Sequence, residues 1–294
     1  MAKIDRLGWA AGTCVESYGV RLGIRTNVPE VLGRISALLP PGWKPSPSSV
    51  VHQLFSLWVG GDPRGGVRRY SLLYWGAARR ARSLDLDQVC ETLESELRFS
   101  VAVGATRKVF VHAGVVGWRG RAIVLPGRSC AGKTTLVAEL LRAGATYYSD
   151  EFAVLDGRGR VFPFPTPLSI RERGGSGVAR CTAQDLGSVP GVEPLPIGLV
   201  AFSEYRRGAR WRPVRLTPGK ALLAFLAHTA QTRFRTEASL AALRRVVVQA
   251  PLLKGVRGEA EEMAAPLLRL LEAPTAPTPA VAPAGKTAQN GVRS

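Results

Sequence analysis

Apolar positions along this chain recur with two periods. Over 16–25, Tyr18, Val20, Leu22 and Ile24 alternate with polar neighbours, the period-2 pattern of a strand. Asn27-Val28-Pro29-Glu30 then reads as a helix start, with Asn27 as cap and Pro29 in the first turn. That helix is expected to stop near Leu39, before Pro40-Pro41-Gly42. Strands are predicted over 53–59 and 69–75, joined through a glycine-rich connection. Leu86, Val89, Cys90, Leu93 and Leu97 carry the helical period, which predicts a helix over 84–103 with Asp85 and Asp87 in its first turn.

Beyond Arg107 short apolar runs dominate. Strands are predicted over 109–116 and 121–125, with Gly117-Trp118-Arg119-Gly120 as a tight turn. A helix follows from Lys133 to the stop signal Arg142-Ala143-Gly144. Further strands are expected over 146–149, 152–155, 161–164, 197–203 and 211–216. Helices are expected over 217–228, 237–248 and 259–271. Residues 273–294 are rich in Ala, Pro and Thr and lack apolar periodicity, so they are expected to form a disordered tail. The chain therefore reads as a small α/β N-terminal domain (1–105), a larger α/β domain (106–272) and a tail.

Gly127-Arg128-Ser129-Cys130-Ala131-Gly132-Lys133-Thr134 matches G-x-x-x-x-G-K-[ST], and Thr135 continues into the helix. A strand precedes this P-loop motif and a helix follows it, the context the chemistry requires. The glycines let successive N–H groups converge on phosphate oxygens, and the helix adds its positive end. Lys133 is expected at the β- and γ-phosphates, and the Thr134 hydroxyl at Mg²⁺.

Asp150 lies 17 residues beyond Lys133. A right-handed crossover would return it to the carboxyl end of a neighbouring strand, beside the loop. There it could ligate Mg²⁺ or take a proton from an attacking hydroxyl. Glu151 is adjacent, but successive strand residues face opposite ways, so a shared role needs a kink. His112 sits in an apolar strand 21 residues before Lys133, where spacing alone favours a hydrogen-bonded core histidine.

Charge changes the picture little. The net charge is +18, with only seven Lys among 40 basic residues. Residues 1–105 carry 13 basic and 9 acidic side chains; residues 106–272 carry 25 and 13. The excess falls where phosphates must be met. Zinc-finger spacing and RNP-like aromatic strings are lacking, which argues against nucleic acid as the main partner. The scattered Cys14, Cys90, Cys130 and Cys181 form no C-x-x-C pair and suit a reduced cytoplasm. No apolar run is long enough to span a membrane. His52 reads as structural or solvated, and His228 as a core histidine or a residue lining the site. Arg206, Arg207, Arg210 and Arg212 read as a solvated turn, with docking of an acidic peptide as the functional alternative.

Three segments together have a family look: Val111-His112-Ala113-Gly114, the Gly127–Thr134 loop and Tyr148-Ser149-Asp150-Glu151. They resemble the HPr kinase/phosphorylase family over about 107–175. The resemblance implies a kinase domain like that family's C-terminal one, using ATP and Mg²⁺ to phosphorylate a serine hydroxyl of a protein or peptide. A small hydroxyl metabolite is the other acceptor considered. It implies Asp150 as general base aided by His112, Lys133 on the phosphates, and Thr134 and Glu151 at Mg²⁺. It is also compatible with a homo-oligomer. The family usually has Asp-Asp where this chain has Asp150-Glu151, and its later signature is not found here. Arg171-Glu172-Arg173 is the nearest acidic–basic cluster. The alternative function is a nucleotide-dependent binding or switch protein with little or no phosphotransfer.

Overall fold

The computed structural model describes residues 3–61, 69–127, 132–171, 177–230 and 236–272. The expected tail over 273–294, the four loop residues Arg128 to Ala131, and Glu172 and Arg173 lie outside the described residues.

The described chain builds two main sheets. The first comprises β1 (Ala11–Ser17), β2 (Val20–Thr26), β3 (Lys44–Pro45), β4 (Gln53–Trp58), β5 (Ser71–Trp75) and β6 (Ala78–Ser83), ordered β3-β1-β2-β4-β5-β6. Only β2 and β4 pair in parallel. The strand expected over 16–25 is two strands, reversed at Tyr18-Gly19, where both φ angles are positive. The turn residues keep the alternation going, so periodicity does not reveal the turn. The helix expected over 27–39 is shorter, α1 (Val31–Ser36). Asn27 does not cap it. Its side chain accepts from the Val59 N–H at 2.7 Å and donates to the Val59 carbonyl at 3.1 Å. Strand β6 was not expected because Ala78-Arg79-Arg80-Ala81-Arg82-Ser83 is an exposed edge with no apolar alternation.

Helix α2 (Leu86–Gly104) packs on this sheet through Val89, Leu93, Leu97 and Val101. Asp85 is its N-cap, accepting from the Asp87 N–H at 2.8 Å.

The second sheet holds β7 (Val109–Trp118), β8 (Arg121–Pro126), β9 (Thr146–Ser149), β10 (Phe152–Leu155) and β11 (Arg160–Phe162). After a separate two-stranded hairpin, β12 (Leu168–Arg171) and β13 (Val178–Cys181), it continues with β14 (Leu195–Tyr205), β15 (Val214–Arg215) and β16 (Leu252–Arg257). The order is β11-β10-β7-β8-β14-β16-β15, with β9 also on β7. Strands β8, β14 and β16 are parallel. The strand expected over 211–216 shrinks to β15. Strands β12, β13 and β16 were not expected, because none shows a sustained period.

Helices cover both faces of this sheet. That explains why β8 and β14 are nearly continuous apolar runs. On one face α3 (Lys133–Arg142) and α6 (Ala260–Glu272) bury Leu136, Leu140, Met263 and Leu267 against Ile123, Leu125 and Leu199. On the other, α4 (Pro218–Leu226) and α5 (Thr236–Gln249) bury Phe225, Leu243 and Val246 against Val111, Val124 and Val200.

The two sheets share a core. Phe110, Phe152 and Val154 of the second, with Phe164 just after β11, pack with Val20 and Phe55 of the first and Leu97 of α2. Tyr18 meets Phe110 edge-on at 5.5 Å between ring centres. Polar contacts cross the same boundary. Glu94 on α2 receives two hydrogen bonds from Arg180 on β13, at 2.7 and 2.9 Å.

Candidate functional site

The motif's two ends are well placed by the elements around them. Gly127 follows β8, and Gly132 caps α3 in the left-handed region, with φ +73. A Cβ at Gly132 would be strained by that φ and would lie 2.5 Å from Nη2 of Arg257, displacing the guanidinium. Arg257, at the end of β16, is almost wholly buried and donates to the Gly132 carbonyl at 2.7 Å. Sequence reasoning missed this brace, since a lone Arg after a short apolar run carries no signal. Lys133 Nζ donates to the Gly127 carbonyl at 2.9 Å, spanning from one end of the motif to the other.

Strand β9 returns from α3 and pairs antiparallel with β7, which is itself antiparallel to β8. Asp150 therefore comes back one strand further from β8 than an immediate neighbour would. It still reaches the loop. Thr134 Oγ1 donates to Asp150 Oδ2 at 2.6 Å. The other oxygen, Oδ1, is buried without a hydrogen-bond partner among the described residues. Burial therefore dominates and pushes the Asp150 carboxyl up to about 6, against the Thr134 hydrogen bond and the Lys133 charge.

The chain bends at Asp150-Glu151, between β9 and β10. The Ser149 hydroxyl makes the bend, accepting from the N–H groups of Glu151 (3.1 Å) and Phe152 (2.9 Å). Both acidic residues consequently line one cavity, which a straight strand would forbid. Glu151 forms an ion pair of 2.6 Å with Nε of Arg98. Burial raises its carboxyl, and Arg98 works the other way.

His112 faces the same space from β7. Its backbone accepts from Gly127 N–H at 3.3 Å and donates to the His228 carbonyl at 2.7 Å. Burial first, then the Lys133 charge, lowers the imidazole to about 4, so it is neutral at neutral pH. It can accept a hydrogen bond at its unprotonated ring nitrogen.

The cavity measures about 460 Å³, within the range of small-ligand sites. His112, Gly132, Lys133, Thr134, Thr135, Asp150 and Glu151 all line it. So do Thr166, Pro167 and Ser169, from the segment leading into β12, and Arg98 from α2. Gly127 touches the site through Lys133. Arg128, Ser129, Cys130 and Ala131 lie outside the described residues, as do the side chains of Arg171, Glu172 and Arg173. A second cavity of about 390 Å³ shares the His112–Glu151 wall and is bounded by Phe99, Phe152 and His228.

Arg98 had a readable signal. Glu94 and Arg98 stand four apart, beside Leu93 and Leu97 of the apolar stripe, and Glu94 is buried. Charged residues at the edge of a buried stripe need partners. His52 is exposed, and its ring accepts from Arg21 N–H at 2.9 Å, a structural role. Arg206, Arg207, Arg210 and Arg212 are exposed in the β14–β15 connection and do not line either cavity.

The donor set at Thr134, Asp150 and Glu151 is all oxygen, one hydroxyl and two carboxylates. That is the set a hard dication such as Mg²⁺ takes alongside phosphate oxygens. Among the described residues no cluster of three His, Cys, Asp or Glu forms a self-contained metal cage. No helix among them is long and apolar enough to cross a membrane.

No family model matches the chain, and it matches no curated protein. Among solved structures, the Hpr(Ser) kinase/phosphatase from Coxiella burnetii is similar over 55% of this chain and 93% of its own. The sequence identity is 13% and the TM-score 0.33, a level that assigns no family.

Proposed function

We propose that this chain is a kinase that uses ATP and Mg²⁺ to phosphorylate a hydroxyl, with serine of a protein or peptide as the first candidate. Residues 106–272 would bind the nucleotide, and 1–105 would form the smaller unit packed on them. The observation that carries the reading is the 2.6 Å contact between Thr134 and Asp150, beside the motif lysine. A hydroxyl and a carboxylate held together at a phosphate loop are the parts that such a transfer needs.

In this reading Lys133 and the loop amides bind the phosphates and orient the terminal one. Thr134 and Glu151 hold Mg²⁺, with Asp150 near enough to Thr134 to share it. Held there, the ion would offset the negative charge of the phosphates. Asp150 is the base. Its carboxylate takes the acceptor's hydroxyl proton while the acceptor oxygen bonds to the γ-phosphorus and the P–O bond to ADP breaks. A carboxyl near 6 is mostly ionised at neutral pH yet more basic than an ordinary one. Neutral His112 orients the incoming hydroxyl, which approaches through the second cavity.

The test is transfer of label from γ-labelled ATP to proteins of a lysate, followed by the purified acceptor. Lys133→Ala and Asp150→Asn should each abolish labelling, and Asp150→Asn should still bind nucleotide. Full transfer by Asp150→Asn removes the base assignment. Firm uptake of Mg·ATP with no labelled acceptor favours a nucleotide-dependent switch.

A further inference from the structure

Resting on the kinase reading, we infer that Arg98 is a catalytic residue for the terminal phosphoryl group, supplied to the cavity by helix α2 of the N-terminal unit. Two cations line the cavity wall from different directions. Lys133 comes from α3 and Arg98 from α2. The Arg98 side chain is only 16% exposed. Its Nη1 is paired with Glu94 at 2.6 Å and its Nε with Glu151 at 2.6 Å.

The two carboxylates play different parts. Glu94 does not line the cavity, and it is shared with Arg180, which grips it with both Nη atoms. It is an anchor that fixes the guanidinium and stays with it. Glu151 lines the cavity and belongs to the donor set for the dication. Once Glu151 is committed to a cation, Arg98 loses that partner and keeps its charge, fixed at the wall. A planar guanidinium in that position suits the oxygens of a phosphoryl group in transfer. It stabilises the charge that spreads over those oxygens as the P–O bond to ADP breaks and the bond to the acceptor forms. Arg98 takes no proton and forms no bond. Before nucleotide arrives, the Arg98–Glu151 pair keeps both buried charges compensated.

A purely structural arginine would hold α2 against the second sheet and be indifferent to the third phosphate. Calorimetry with Mg·ADP and Mg·ATP on the full chain separates the two roles. Arg98→Met should leave Mg·ADP affinity within about twofold and weaken Mg·ATP by about tenfold or more, the scale of a lost charged hydrogen bond. It should also fail to trap Mg·ADP with fluoroaluminate, which imitates the phosphoryl group in flight. Equal weakening of both nucleotides, or no change in either, overturns the inference. Should Arg98→Met not fold, Arg98→Met/Glu151→Gln is compared with Glu151→Gln alone, since that pair leaves no orphaned carboxylate at 151. The same loss of preference for ATP over ADP is expected, and an unchanged preference overturns the inference. Failure of the wild-type chain to take up either nucleotide sinks the kinase reading itself, a result distinct from any of these.

Discussion

The two walls of the main cavity are built on opposite principles. On the α3 wall, Thr134 and Asp150 meet through one short hydrogen bond, and the second carboxylate oxygen is buried with no partner among the described residues. On the α2 wall, Arg98 and Glu151 meet as full charges, and Glu94 and Arg180 extend the pairing across the boundary between the sheets. One wall leaves a carboxylate oxygen without a countercharge in contact among those residues; the other matches charge with charge, although Arg98 Nε meets Glu151 as an ion pair without an aligned hydrogen bond. The difference teaches where reactivity and rigidity lie. An unpaired buried oxygen raises a carboxyl and costs stability, whereas an alternating row of charges fixes position and resists change.

The contrast breaks most completely if Asp150 is neutralised. Asp150→Asn should lower the transfer rate by about 10²–10⁴-fold, the range of a lost general base. In the wild type the rate should rise with pH through about 6, as the raised Asp150 carboxyl ionises. A flat pH–rate profile between about 5 and 7, roughly one unit either side of half-ionisation, would deny Asp150 the role.

Next in size comes the compensated wall. Burial alone would raise Glu94, but Arg180 and Arg98 outweigh it and hold the carboxyl below its ordinary value. Glu94→Gln leaves both arginines short of a partner and should cost about 3 kcal/mol in urea unfolding, as when one member of a buried ion pair is removed. A loss no larger than that of an exposed pair would show the row to be solvated.

A smaller effect has the opposite sign. The folded Asp150 carboxyl lies near 6 and its ordinary value is 3.8, so ionisation penalises the fold above 6 and not below 3.8. Asp150→Asn should therefore stabilise the nucleotide-free protein by about 1–2 kcal/mol at pH 8, with the gain fading as pH falls towards 4. Thermal unfolding at several pH values measures it. The smallest effect calibrates the others. Arg34 and Asp87 pair in solvent, so Arg34→Ala should change stability by less than about 0.5 kcal/mol.

How far the chain's letters foretell this arrangement follows the same division. The α3 wall is local. Its loop, helix and returning strand lie within 24 residues, from Gly127 to Asp150, and the apolar runs around them are long enough to read. The bend at Asp150 is harder, because it depends on which groups the Ser149 hydroxyl binds. The α2 wall is not local. Arg98 precedes Glu151 by 53 residues and reaches it only because Phe110, Phe152 and Phe164 join the first core. Strand β6 escapes notice because an exposed edge imposes no apolar alternation, and the Tyr18-Gly19 hairpin because its residues continue one.

Gly114 stands opposite the bend on β7. A Cβ there would lie 2.6 Å from Cγ2 of Val137 and 3.9 Å from Oδ1 of Asp150. One methyl group at this position would act as a shim, prising α3 off the strand beneath it and carrying Thr134 away from the carboxylate. The spacing between Thr134 and Asp150 is thus gauged by an atom that is not there, on the strand directly facing the carboxylate.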